Sequence, residues 1–177
     1  MAMTLITTNT SSNAASSSFT SGIDSTYKLY IFKFYDVNPV TDSAEFTVDF
    51  STDGGSNYGM TKTSTYFYTD HWEDDSYANL GYVAANDLAQ GTAVQKITRS
   101  MGNGGDESGV GTLWLFNPSN TTYVKHFYCT SSIYEARNAV DTGYSAGYIN
   151  STSDVDAVQF AMTSGNMDAV IKMYGVG

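Results

Sequence analysis

The chain has very little of what reactive or disulfide-built proteins carry. Its 177 residues include 1 cysteine, 2 prolines, 2 histidines and only 8 lysines and arginines. A lone cysteine excludes a disulfide framework within the chain. Cys129 lies between Tyr128 and Thr130 in an apolar run and is expected to be a small buried hydrophobe rather than a catalytic thiol. With only His71 and His126, no H-x-x-x-H or Cys/His zinc spacing exists. His126 stands on an expected strand, opposite in parity to Lys125 and Phe127. There is no G-x-S-x-G elbow, and Gly102-Asn103-Gly104 lacks the strand-turn-helix setting of a dinucleotide fingerprint. No run approaches the roughly 20 apolar residues of a membrane helix. Residues 1–8 lack the basic and apolar regions of a signal peptide, so a soluble product is expected. The sequons at Asn9, Asn120 and Asn150 read as products of a Ser/Thr/Asn-rich composition.

Basic residues are outnumbered by 18 acidic ones, giving a net charge of −10. Such a chain repels phosphate backbones and anionic lipid, so neither nucleic acid nor membrane is an expected partner. Apolar residues are plentiful nonetheless: 41% are hydrophobic, with 14 Tyr, 9 Phe and 2 Trp, enough to bury one core and to argue against disorder. Tyrosine suits half-buried sheet faces and interfaces, because its ring packs while its hydroxyl reaches water or a partner.

The aromatic residues fall in short alternating runs. Phe46, Val48 and Phe50 alternate with Thr47 and Asp49, Asp53-Gly54-Gly55-Ser56 follows, and a Thr/Tyr-rich run continues to Tyr68; the pattern predicts a β-hairpin over 44–68. Residues 27–35 carry bulky side chains on both parities, as a central strand covered on both faces would. Further strands are expected at 113–116, 123–129, 147–149, 157–162 and 170–174, with turns at Asn117-Pro118 and Ser164-Gly165. Residues 79–99 read as an irregular strand or short helical turn, and 101–111, with five glycines, as a long exposed loop. Roughly eight short strands without helical periodicity predict an all-β antiparallel sandwich, jelly-roll-like, over 22–177. The uncharged Ser/Ala/Thr-rich stretch before it makes 1–21 an extended N-terminal arm, flexible or docked elsewhere.

Two loops attract attention for hard-cation or sugar chemistry. Asp70, His71, Glu73, Asp74 and Asp75 crowd one segment, but without EF-hand spacing they read as a solvated acidic loop, as does 103–107. Trp72 beside carboxylates would suit a sugar ring if it were open, and would cover core if it were not. Paired carboxylates abound in so acidic a chain, so composition singles out no glycosidase pair. No catalytic residue, cofactor or metal is expected.

Several blocks together resemble a family of small proteins from tailed bacteriophages of aquatic environments. They are Gly22-Ile23-Asp24-Ser25-Thr26-Tyr27, Thr52-Asp53-Gly54-Gly55-Ser56-Asn57-Tyr58, Thr61-Lys62-Thr63-Ser64-Thr65, residues 117–127 (Asn-Pro-Ser-Asn-Thr-Thr-Tyr-Val-Lys-His-Phe) and Ile171-Lys172-Met173-Tyr174-Gly175. The resemblance covers nearly the whole chain and carries over no catalytic residue. It implies a virion structural component: a capsid decoration or cement protein, forming homotrimers on the outer capsid surface against the major capsid protein. A tail-fibre or tail-tip module that recognises host glycan is the alternative it implies.

Overall fold

The computed structural model describes residues 2–177 and is all-β. Twelve strands run in chain order: β1 Met3–Ala14, β2 Ser16–Phe19, β3 Leu29–Pro39, β4 Phe46–Ser51, β5 Lys62–Trp72, β6 Ala78–Tyr82, β7 Gln95–Lys96, β8 Gly109–Phe116, β9 Lys125–Glu135, β10 Ala139–Ile149, β11 Ala157–Met162 and β12 Met167–Val176. They form an eight-stranded sheet, β1-β12-β3-β8-β9-β10-β5-β6, and a four-stranded sheet, β2-β11-β4-β7, antiparallel throughout.

The order has a simple root. Setting aside β5, β6, β9 and β10 leaves β1-β12-β3-β8 facing β2-β11-β4-β7. Renumbered along the chain, that is 1-8-3-6 over 2-7-4-5, two interlocked Greek keys: the expected jelly roll. The four remaining strands widen only one sheet, because β9-β10 continues the meander from β8 and β5-β6 adds to the far side of β10.

The two sheets close on a core of Phe19, Phe32, Phe34, Phe46, Phe50, Phe127, Phe160, Met101, Met167 and their aliphatic neighbours. Phe46 stacks on Phe160 at 5.6 Å, and Phe34 meets Phe46 edge-on at 5.3 Å. Such pairs gain on the order of 1 kcal/mol beyond area burial.

Four expectations need correction. Residues 44–68 are not a hairpin: β4 lies in the small sheet and β5 in the large one. The connection between them, turning through Gly54, Gly55 and Gly59 at positive φ, carries the chain across the sandwich instead of back along it. Both faces of β4 are buried, Thr47, Asp49 and Ser51 as well as Phe46, Val48 and Phe50. Residues 3–19 are extended but form no free arm, because β1 pairs with β12 and β2 with β11. Phe19 is the reason this segment stays: its ring lies 5.2 Å from Phe32 and 6.2 Å from Phe160. Strand β3 faces the core on one side only; on the other Ile31 is screened by its neighbours but Tyr35 is exposed. Finally, β10 runs from Ala139, far ahead of the expected 147–149, because Gly143 and small polar residues dilute its pattern.

Candidate functional site

Carboxylates that could act as an acid-base pair do meet inside the large sheet. Asp70 on β5 and Asp141 on β10 are directly opposed and point inward. Arg99 Nη1 donates to Asp70 Oδ2 at 3.1 Å and to Asp141 Oδ2 at 2.9 Å, and its guanidinium lies 3.7 Å from the centroid of the Tyr68 ring. Arg137 Nε donates to Glu135 Oε1 at 2.9 Å, and its Nη2 stands 3.6 Å from Asp70 Oδ2. Burial pushes the Asp141 carboxyl up to about 6, against the pull of Arg99. With Asp70 at 4% and Asp141 at 0% exposure, neither faces a substrate; the cluster clasps segment 97–101 onto the sheet.

The expected acidic loop is partly strand. Asp70, His71 and Trp72 end β5, and only Glu73, Asp74, Asp75, Ser76 and Tyr77 turn into β6. His71 Nε2 is 3.0 Å from Asp75 Oδ1 in the open. Trp72 is already engaged, by the Tyr77 ring at 5.3 Å and the Arg137 guanidinium at 5.4 Å. Trp72 and Glu73 nevertheless line, with His71, Ser132, Tyr134 and Val140, a groove of about 560 Å³. In the 101–111 loop, Met101 is buried and β8 begins at Gly109. The rest is tied down: Asn38 Nδ2 donates to the carbonyls of Gly104 and Glu107 at 3.1 and 2.6 Å. Among the described residues no three His, Cys, Asp or Glu side chains converge as a metal site. Cys129 is buried, and burial raises its thiol far above the ordinary range.

The feature that composition could not reveal is the outer face of the large sheet. Burial alternates along β8, β9, β10 and β12, and directly opposed residues share a face. One cross-strand row therefore runs Leu5, Tyr174, Ile31, Trp114, Tyr128, Ala146, Thr65. A parallel row runs Lys172, Lys33, Thr112, Thr130, Tyr144, Phe67, Tyr82. Within these rows Phe67 stacks on Tyr144 at 4.8 Å with ring planes 9° apart, and Trp114 on Tyr128 at 5.2 Å. Leu80 is 69% exposed, Tyr82 60% and Val140 50%.

From Leu29 to Tyr35 of β3 and across β8, β9, β10, β5 and β6, no carboxylate points outward. The acids on those strands, Asp70, Glu135 and Asp141, are all buried on the inner face. Asp36, Asp106, Glu107 and Asp168 gather instead around a pocket at one rim. At a strand spacing of ~4.8 Å and ~3.3 Å per residue, the face spans roughly 600–900 Å². That compares with the ~800 Å² each partner gives to a stable protein interface, whose core is likewise depleted in charge and rich in aromatic rings.

No protein-family model matches the chain, no curated protein matches it, and no solved structure matches it.

Proposed function

We propose that the chain is a structural component of a virus particle, a decoration protein that binds the major capsid protein on the outer shell and stabilises it, working by contact and not by turnover. The observation that carries this reading is an aromatic face whose strands present no outward carboxylate, its nearest acids being Glu73 and Asp87 at the margin, on a chain of net charge −10. A sheet face of this breadth left open in a monomer is a contact surface by its chemistry. Acidic charge held at the rims keeps the free protein apart from its copies, and strands that present no outward carboxylate meet the shell without burying an unpaired one. The resemblance of the turn and strand motifs to small tailed-phage proteins supplies the kind of particle.

The groove beside Tyr134 and Val140 favours the second reading, a tail module that binds host glycan, since it joins a tyrosine ring to serine hydroxyls and an imidazole. The two readings separate by experiment. Val140→Glu and Tyr128→Glu should abolish attachment to particles lacking the protein while leaving its unfolding transition in place. Attachment of both variants at wild-type level would overturn the docking face.

A further inference from the structure

The two sheets end in four edges, and three of them are short: β6 has 5 residues, β2 has 4 and β7 has 2. Short edges give a stray strand little to pair with. The fourth edge, β1, is 12 residues long. It reads Met-Thr-Leu-Ile-Thr-Thr-Asn-Thr-Ser-Ser-Asn-Ala and carries no charge and no proline, the two commonest blocks to edge pairing. It also exposes Met3 at 48% and Leu5 at 51%.

We propose that β1 is a self-association edge, at which two copies of this chain pair antiparallel across a two-fold axis and join their large sheets into one. The choice of a second copy as occupant follows from symmetry and charge. In an isologous antiparallel pair each residue i meets j while j meets i, so a charged residue near the axis brings its like close by. A chain of net charge −10 meets itself in this way with least repulsion where the axis crosses a stretch free of acid, and β1 is such a stretch.

The local geometry names the centre of the pairing. Register irregularities against β12 fall between Leu5 and Thr7 and between Ser11 and Ala14, which leaves 7–11 regular. Within that stretch Asn9 Nδ2 donates to the Ser18 carbonyl at 2.9 Å and to Ser17 Oγ at 3.3 Å, holding the edge flat against β2. Thr8 and Thr10 project on the outer face opposite Lys172 and Val170. A two-fold at Asn9 sets Thr8 of one copy against Thr10 of the other, a favourable cross-strand pair. The product is a two-fold dimer in place of the expected trimer. Insofar as the shell-docking reading holds, it doubles the docking face and makes attachment bivalent.

Sedimentation velocity of the full chain over a concentration series tests the edge, with hydrogen exchange to locate it. The expected result is a dimer mass whose formation slows amide exchange over residues 7–11. Thr10→Lys should give a monomer with the wild-type unfolding midpoint, and Thr8→Lys, which also sets a lysine opposite Lys172, a monomer with a lower one; either variant suffices if the other fails to fold. Val140→Glu should remain dimeric, which separates this edge from the docking face. A wild-type monomer throughout the series, dimeric lysine variants, or protection on the outer face instead of residues 7–11 would each overturn the proposal.

Discussion

Lys62 Nζ lies 2.6 Å from Asp49 Oδ1, an ion pair between the two sheets, since Lys62 opens β5 in the large one and Asp49 sits in β4 of the small one. The lysine head is closed off from solvent and also donates to the Met60 carbonyl at 2.8 Å. Burial raises the Asp49 carboxyl even with Lys62 beside it, so its charge depends on the lysine. Lys62→Met should cost about 3–5 kcal/mol by urea unfolding, because it strands a buried carboxylate. Lys62→Met with Asp49→Asn should recover much of that loss; a double variant as unstable as the single one would show that the pair is not what Lys62 contributes.

Stability should carry a signature of Asp141. Its carboxyl is held near 6 in the folded chain, against an ordinary 3.8. Between those values the folded protein keeps a proton that the unfolded chain has released. The contribution of this group is therefore fully present below about 4 and is lost as pH rises through about 6, by up to about 3 kcal/mol. Asp53 works in the opposite sense and in another window: hydrogen bonds from Asn57 and Ser51 hold it at about 2, so its contribution fades only as pH falls below 4. Urea midpoints of wild type and Asp141→Asn, compared from pH 4 to 7, should diverge across that range; parallel curves would refute the assignment.

These relationships mark what could be read in advance. The all-β sandwich was legible because Phe46-Val48-Phe50 and 157–162 alternate, and glycine and asparagine turns punctuate the chain. The exchange of sheets between β4 and β5 was not, since alternation states only that two faces exist, and here both faces of β4 are buried. The aromatic outer face was illegible for the same reason. Trp114, Tyr128, Tyr144 and Phe67 lie on separate strands, and only register aligns them. Residues 1–21 misled because Ser and Thr suit a linker and an edge strand equally well.

The N-terminal segment should accordingly prove indispensable to the fold. Removing residues 1–21 deletes β1 and β2, opens the β11 and β12 edges and takes Phe19 from the core. The truncated chain should lose its cooperative thermal transition. Phe19→Ala alone should cost about 3–5 kcal/mol. A truncated protein that melts like the full chain would mean that these strands are appended to the jelly roll and not part of it.

Cys129 should be chemically silent in the native state. Its thiol is buried among Leu113, Phe127 and their neighbours in the core and is held in the protonated form. An aromatic disulfide reagent should leave it unmodified in buffer and react fully in denaturant. Rapid native labelling would reveal an opening of β9 absent from this structure.

The proposed role on a virus particle is tested most directly by quantitative mass spectrometry of purified particles, comparing copies of this chain with copies of the major capsid protein. A decoration protein docked across the shell predicts a ratio near one. A ratio far smaller, that of a minor component, would contradict the shell assignment and move the protein to the tail.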